Sequence, residues 1–279
     1  MLRRTFCHIK GVSQAKEQKF WQQGHATWDD YMASLNITQD SLPEWYVGSR
    51  KALRRGDADY FARLLPGKEH WRLALSFPME TMFLDIETTG YGTSSSDITV
   101  IGWSLGGPYK VLVCGRDDPE DFLDDLTKTR VLVTFNGRAF DCPILYRCFD
   151  RSLFPQGHAD LRFIGRQVGL SGGQKSIEEE LKIRRQTEIR DGLEAIYLWE
   201  KYRFSSNLQA RKKALRDLIV YNHEDVEGMK SIFDVCTEKL KEKGSIPEEY
   251  EPETSFKALK SGLDFSNPRN FPFSLEPLD

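Results

Sequence analysis

Two acidic residues, Asp85 and Glu87, stand inside the apolar string FLDIETTG at residues 83–90. The apolar neighbours predict a β-strand, in which alternate side chains point to the same face, so the two carboxylates lie side by side. Carboxylates this close repel each other unless a cation lies between them. Hard divalent ions such as Mg²⁺ bind oxygen ligands of this kind. The alternative interpretation, two hydrated acids on an edge strand, is disfavoured by the apolar neighbours.

A third acidic residue, Asp141, follows the next apolar run in the string VTFNGRAFDCPIL at 133–145. The run predicts a strand that ends at Phe135, and Asn136-Gly137 predicts a turn. Asp141 then falls in the first turns of a helix expected over 138–149. An aspartate at this position is also compatible with a helix cap or a favourable interaction with the helix dipole, and by itself it does not indicate a metal site.

The fourth acidic residue, Asp225, lies in the string LRDLIVYNHEDVEGMKSIF at 215–233, whose apolar spacing is typical of a helix. Tyr221 and Asp225 are one helical turn apart and therefore share a face. An aspartate beside this apolar stripe is costly to bury without a metal or another partner. The alternative is a surface aspartate next to Glu224.

Taken together, the three strings resemble the DEDD exonuclease superfamily, also called DnaQ-like, in the order DxE, NxxxFD and YxxxD. Because the last motif contains a tyrosine, the chain resembles the tyrosine-containing subgroup of that superfamily. The finer pattern resembles the YprB-like branch of nucleases with an RNase H-like fold, over residues 5–240. Gln174 departs from that branch, where leucine is frequent. The strings that carry the finer resemblance are HADLR at 158–162, GGQKSIE at 172–178, YNHED at 221–225, TFCHIKG at 5–11 and TWDDY at 27–31.

The resemblance implies a two-metal mechanism with Mg²⁺ or Mn²⁺, in which two ions stabilise the attacking and leaving oxygens. It implies that Asp85 bridges both ions and that Glu87 and Asp225 complete the first of them. Asp141 is expected to hold the second ion. Tyr221 is expected to orient the attacking water.

We assign substrate binding to Thr88, Asn136, Phe140 and Lys175. For Lys175 the specific expectation is a phosphate site, because the preceding Gly172-Gly173 pair can offer backbone amides to an anion. The alternative is an ordinary loop that carries a hydrated lysine.

Other polar residues allow more than one interpretation. His158 and Asp160 either support the metal site or, more simply, cap the helix expected over 160–168. Two basic runs either flank a groove for a nucleic-acid strand or are hydrated helix faces. His223 lies on another helix face than Asp225, and we do not assign it as a ligand. The basic runs are Lys182, Arg184, Arg185 and Arg190, and Arg211, Lys212, Lys213 and Arg216.

The composition is that of an ordinary globular protein. Of the 279 residues, 39% are hydrophobic and 29% charged, and the net charge of −3 argues against broad, non-specific binding of duplex phosphates. The five cysteines form no CxxC pair, so a structural zinc site or disulfide framework is not expected. We find neither a secretory signal nor an apolar run long enough for a membrane span. These features favour a cytoplasmic protein without a membrane partner.

Strand-like runs followed by helices predict an α/β fold of the RNase H-like type, a mixed sheet flanked by helices. We divide the chain into an N-terminal helical module at 1–78, an exonuclease domain at 79–243 and an extended C-terminal arm at 244–279. The helices of the module, including one at about 43–55, serve either for packing or for gripping nucleic acid. The arm is acidic and rich in proline, but it keeps aromatic residues that favour packing on the domain.

The expected function is 3′→5′ exonuclease activity on single-stranded DNA or RNA 3′ ends, with DNA favoured slightly. Two alternatives remain open. One is a non-catalytic nucleic-acid-binding adaptor built on a nuclease scaffold, and the other is a structure-specific endonuclease of the same fold. The sequence indicates no protein partner.

Overall fold

A mixed β-sheet forms the centre of the computed structural model, which describes residues 1–35, 38, 41–90, 98–187, 189, 191–259, 263, 265 and 271–276. The strands are β1 Thr81–Thr88, β2 Ile98–Leu105, β3 Tyr109–Val113, β4 Val131–Thr134 and β5 Gly157–Asp160. Their order in the sheet is β3-β2-β1-β4-β5. The pairs β1–β2 and β2–β3 are antiparallel, whereas β1–β4 and β4–β5 are parallel.

Eleven α-helices lie in the described part of the chain. None of them combines the length and apolar composition needed to cross a lipid bilayer. Their bounds are α1 Gln14–Gln22, α2 Trp28–Ser34, α3 Glu44–Arg55, α4 Ala58–Leu64, α5 Trp71–Ala74, α6 Glu120–Lys128, α7 Asp141–Cys148, α8 Leu161–Gln167, α9 Gln174–Glu180, α10 Gly192–Phe204 and α11 Leu208–Glu242. A sheet flanked by helices confirms the α/β class that the sequence predicts.

The two faces of the sheet follow the alternation of side chains along β1. Met82, Leu84 and Ile86 pack with α6 and α7 in one apolar cluster. Phe83 belongs to a second cluster, which contains the long helix α11 and the N-terminal helices. Since Asp85 and Glu87 continue the alternation of Phe83, both carboxylates point toward α11.

Two buried ion pairs with a shared arginine join separate parts of the N-terminal region to one another. Arg72, fully buried, binds Glu17 at 2.7 Å and Glu69 at 2.8 Å. Trp28 is buried in the same apolar cluster as Phe83, and Tyr31 packs against that cluster. Within the described residues, these aromatic side chains serve packing, which was one of the two alternatives for this module. Its status as a separate unit stays a prediction.

The C-terminal arm contributes apolar side chains to the core. Phe256 is buried, with its ring centroid 5.0 Å from that of Phe83 and 4.9 Å from that of Phe233. The hydroxyl of Tyr250 donates to the carbonyl of Leu75 at 3.3 Å. Arg190, named above in a basic run, and parts of the arm lie outside the described residues.

Candidate metal centre

The site begins at the end of β1. Asp85 pairs with Gly102 of β2, and Glu87 pairs with Val100. The register shifts between Glu87 and Thr88, so regular pairing ends directly after the second carboxylate. A bulge of this kind redirects a strand and is frequent beside functional sites.

Helix α11 supplies the third carboxylate of a compact group. One ligand oxygen from each of Asp85, Glu87 and Asp225 lies within 4.8 Å of the others, and this is the cluster of potential metal ligands found in the described residues. Glu87 and Asp225 are buried, whereas Asp85 is partly exposed.

Asp141, the fourth predicted ligand, lies beside this group and not within it. The pairing of β1 with β4 ends at Phe83–Val133, so the backbone of β1 extends beyond its neighbour. The carboxylate of Asp141, at the first turn of α7, accepts the backbone NH of Ile86 at 3.2 Å. Asp141 thereby occupies a position at the open edge of β1, between the two acidic residues of that strand.

Asp160 fixes the turn that leads to Asp141. Its carboxylate accepts the backbone NH groups of Asn136 at 2.9 Å, of Arg138 at 3.1 Å and of Arg162 at 3.1 Å. The last bond caps α8, as the simpler interpretation of Asp160 expected. The other two hold a turn in which Asn136 has a positive φ of 63°, a conformation that asparagine tolerates better than most residues.

Burial and mutual repulsion perturb the carboxylates. The pKa of Asp85 is raised well above its usual value, mainly by burial and then by the charges of Asp225 and Glu87. Burial and Asp225 likewise raise the pKa of Glu87 well above its usual value. Burial raises the pKa of Asp141 to about 7. Such a group binds either protons or a cation, which is the electrostatic condition of a metal site.

Asn222 links the two carboxylates of β1, a role that no sequence pattern indicates. Its amide nitrogen donates to Asp85 Oδ2 at 2.8 Å and, more weakly, to Glu87 Oε1 at 3.4 Å. Its oxygen accepts the hydroxyl of Tyr109 at 2.8 Å. Asn222 is the second residue of the YNHED string, but an isolated asparagine offers no spacing that would reveal such a contact.

Arg185, which is half-buried, forms the counter-charge of Asp225. Its Nη2 contacts Asp225 Oδ1, and its Nε donates to Glu178 Oε2 at 2.5 Å. Gln174 completes the arrangement, because its amide donates to Glu178 Oε1 at 2.9 Å and to the backbone carbonyl of Asp225 at 2.7 Å. A Cβ at Gly228 would stand 2.0 Å from Glu178 Oε1, so glycine there gives Glu178 its space. Within the first basic run, Arg185 thus turns inward.

Tyr221 lies one turn before Asp225 and is held by Lys175. The ammonium of Lys175 donates to the Tyr221 hydroxyl at 3.0 Å and lies 4.2 Å from the ring centroid. Burial, followed by the charges of Asp225 and Glu87, raises the pKa of Tyr221 far above its usual value. Burial lowers the pKa of Lys175, although the neighbouring carboxylates oppose this shift.

The three remaining residues assigned to substrate binding occupy different settings. Thr88 is buried, and its hydroxyl accepts the backbone NH of Gly90 at 3.3 Å. The side-chain oxygen of Asn136 accepts from Arg162 at 2.8 Å. Phe140 immediately precedes Asp141 and is exposed. A role for these three residues in binding substrate stays a prediction.

Both histidines considered above occupy structural positions. His158 Nε2 lies 2.8 Å from Thr134 Oγ1, and the backbone NH of His158 donates to His70 at 3.1 Å. The ring of His223 packs between those of Tyr109 and Phe265, at centroid distances of 4.9 Å and 4.7 Å. Neither belongs to the group of potential metal ligands in the described chain.

Comparison with known proteins identifies the family. The model of the RNase_H superfamily named RNase_H_2 matches residues 82–237, which include all four carboxylates. No curated protein and no solved structure matches the chain. Proteins of this superfamily are mostly nucleases, and their fold normally uses divalent metal ions. The matched region exceeds half of the chain, and the chain therefore belongs to the RNase H superfamily.

Proposed function

We propose that the chain is a metal-dependent 3′→5′ exonuclease acting on single-stranded nucleic acid, with DNA favoured slightly over RNA. The observation that supports this most directly is the group formed by Asp85, Glu87 and Asp225, whose ligand oxygens lie within 4.8 Å of one another. Membership of the superfamily supports hydrolysis of nucleic acid. The order of the motifs supports the exonuclease assignment and its direction.

The donor set fits Mg²⁺ or Mn²⁺. It consists of hard carboxylate oxygens, and the described part of the group contains no thiolate or imidazole that would favour a softer metal. We assign Asp85, Glu87, Asp225 and the neighbouring Asp141 as the residues that hold two ions. When bound, such ions supply the positive charge that activates water and stabilises the oxygens of an in-line displacement.

The protein's own side chains orient a water molecule and balance the negative charge of the carboxylates. Because its pKa is raised, Tyr221 stays protonated near neutral pH and is suited to orienting a water molecule by hydrogen bonding. Lys175 fixes the Tyr221 hydroxyl and places a positive charge near the carboxylates. Asn222 binds the carboxylate of Asp85, and Arg185 binds that of Asp225. These contacts fix the orientation of both carboxylates.

The decisive experiment is digestion of 5′-labelled and 3′-labelled oligonucleotides as single-stranded DNA, single-stranded RNA and blunt duplex DNA. With Mg²⁺ or Mn²⁺ we expect the 5′-labelled substrate to give a ladder of products shortened from the 3′ end. The 3′-labelled substrate should release labelled mononucleotide at once. EDTA should stop the reaction, and the variant Asp85→Asn should lack it. Release of mononucleotide from the 5′ end would contradict the direction.

The same substrates separate the alternatives. Cleavage of a circular single strand would identify an endonuclease. Binding without hydrolysis under every metal condition would identify a non-catalytic adaptor. Resistance of the circle, together with loss of the linear strand, is the result that the exonuclease proposal requires.

A further inference from the structure

A groove runs beside the candidate metal centre between α10, α11 and the segment that precedes α10. Its volume is about 850 Å³, within the range of about 300–1,000 Å³ usual for ligand sites. We call it the α10–α11 groove and define it by the lining residues Ile189, Tyr197, Leu198, Arg216 and Val220. The apolar and aromatic residues among them offer a surface for a flat organic ring, and the lining also contains Lys213, Glu194 and Asp217.

The α10–α11 groove is linked to the candidate metal centre through Lys175 and Tyr221. Its wall residue Val220 directly precedes Tyr221 in α11. The carbonyl of Ile189 accepts from Lys175 at 3.4 Å, and the same ammonium donates to the Tyr221 hydroxyl. Helix α10 also touches the end of β1, since Ile196 Cδ1 lies 2.5 Å from where a Cβ at Gly90 would stand. The groove and the candidate metal centre thus share neighbouring residues of α11 and the segment that precedes α10.

One side of α10 is apolar and exposed. Leu193 is 75% exposed, Tyr197 63% and Phe204 78%. Their spacing places them on one face, while Ala195, Trp199 and Tyr202 of the same helix are buried. A helix that packs on one side and displays apolar side chains on the other has a surface available for a partner.

A polar atom of Arg216, unpaired within the described part of the chain, indicates that the partner carries a hydrogen-bond acceptor. The Nε of Arg216 is buried and has no hydrogen-bond acceptor among the described residues, whereas its Nη2 donates to the carbonyl of Phe265 at 2.9 Å. On α10, Lys201 lies 6.0 Å from the Tyr197 ring centroid. An aromatic ring near guanidinium and ammonium groups is the combination that binds unpaired bases and their phosphates.

Resting on the proposed function, we propose that the α10–α11 groove binds an unpaired nucleotide of the substrate strand, with its base against Tyr197 and its phosphate at Arg216. The occupant is single-stranded nucleic acid. The groove would select single strands, since a base that stacks on a tyrosine must be free of its duplex neighbours. DNA and RNA share this chemistry and are separate arms of the test.

The test measures binding in the full-length Asp85→Asn variant with Mg²⁺, so that hydrolysis does not remove the probe. Fluorescence anisotropy is recorded for a labelled 12-nucleotide single strand of DNA and of RNA, and for blunt duplex DNA. Adding Tyr197→Ala should raise the Kd for single strands by roughly 5- to 100-fold, the effect expected for loss of one stacked base. Tyr197→Phe should restore binding to within about twofold, because the ring remains.

The control is Val47→Ala, which removes a comparably exposed apolar side chain, 50% exposed, from α3. It should leave the Kd unchanged. An unchanged Kd in Tyr197→Ala, or a parent that binds neither strand, would overturn the inference. So would a self-association, seen by sedimentation, that Tyr197→Ala abolishes while oligonucleotide binding persists. Failure of the proposed function looks different, since wild-type protein would then bind strands through Tyr197 without degrading them.

Discussion

The side-chain oxygen of Asn222 occupies the space above Gly102, 1.6 Å from where a Cβ at that position would stand. Gly102 is the strand partner of Asp85, and the amide of Asn222 binds the Asp85 carboxylate at 2.8 Å. The missing side chain on β2 thus lets α11 approach the sheet and place a hydrogen-bond donor between the acidic residues. Close approach of this kind is a characteristic use of glycine within a strand.

Gly102→Ala should therefore displace Asn222 and disturb the metal centre. The added Cβ would also stand 2.8 Å from Tyr109 Cε2, so neither neighbour can stay in place. We expect a loss of about 1–3 kcal/mol in the free energy of unfolding and at least about a tenfold loss of metal-dependent hydrolysis. The control is Gly192→Ala, at a position where an added Cβ meets nothing within 4 Å. Equal activity in the two variants would contradict the role of Gly102.

Neutralising a carboxylate should affect activity and stability in opposite directions. Asp85→Asn removes one charge from a repelling group, so the melting temperature in EDTA should rise. The same change removes a proposed metal ligand, and hydrolysis should fall by at least about 1,000-fold. The measurements are thermal unfolding in EDTA and single-turnover hydrolysis with Mg²⁺. Asp124→Asn, on the exposed side of α6, should change neither quantity, and activity within tenfold of wild type in Asp85→Asn would refute the assignment.

The metal-free protein should lose stability as pH rises. The pKa of Asp141 is about 7 in the folded state, against about 3.9 for an unfolded aspartate. Between these values the native state holds a proton that the unfolded state has released, so the free energy of unfolding falls as pH rises toward 7. The raised pKa values of Asp85 and Glu87 act in the same direction.

Urea unfolding at pH 5, 6, 7 and 8 measures this dependence, with EDTA in one series and Mg²⁺ in the other. Each unit of pKa difference corresponds to ~1.4 kcal/mol at most. Mg²⁺ should weaken or reverse the trend, because deprotonated carboxylates bind the ion more tightly. A stability that rises from pH 5 to pH 8 in EDTA would contradict the raised pKa values.

Arg185 should be needed for the metal-free fold. Its guanidinium neutralises Asp225 and Glu178 together, so Arg185→Gln leaves two buried acids without a counter-charge. Breaking such a pair costs up to about 3–5 kcal/mol. Mg²⁺ should recover part of this loss, because an ion at the metal centre compensates Asp225 but not Glu178. The exposed neighbour Arg184 is the matched control, and Arg184→Gln should unfold at the wild-type temperature.

A second change tests the same explanation. In Arg185→Gln/Glu178→Gln one of the two uncompensated charges is removed, and stability in EDTA should recover relative to the single variant. No recovery would show that Arg185 acts through packing and not through charge.

The sequence predicted those parts of the site that depend on local regularity. The alternation of side chains along a strand correctly placed Asp85 and Glu87 on one face of β1. The helical period likewise placed Tyr221 and Asp225 on one face of α11. Strand β5 was not predicted, because Gly157–Asp160 is short and contains no β-branched residue. The helix expected over 138–149 begins at Asp141, since Asp160 holds the preceding residues in a turn.

Contacts between distant segments could not be read from the chain. Glu178, Arg185 and Asp225 come from α9, the following loop and α11, and their pairing depends on how these pack. Arg185 stood in a basic run whose simplest interpretation was a hydrated surface. Gln174 was noted only as a departure from a family pattern, although its amide binds both Glu178 and the backbone of Asp225.

Tyr221→Phe tests whether the tyrosine orients water or acts as a base. Its raised pKa keeps the phenol protonated near neutral pH, so the variant should lose one hydrogen bond and no base. We expect single-turnover hydrolysis of a 3′-ended oligonucleotide in excess Mg²⁺ to slow by about 10- to 100-fold. The pH–rate profile should keep its shape, and EDTA should still stop the reaction. Tyr250→Phe, which removes a buried hydroxyl bonded to Leu75, should react at the wild-type rate. An unchanged rate in Tyr221→Phe, together with loss of activity in His223→Ala, would overturn the assignment to the tyrosine-containing subgroup.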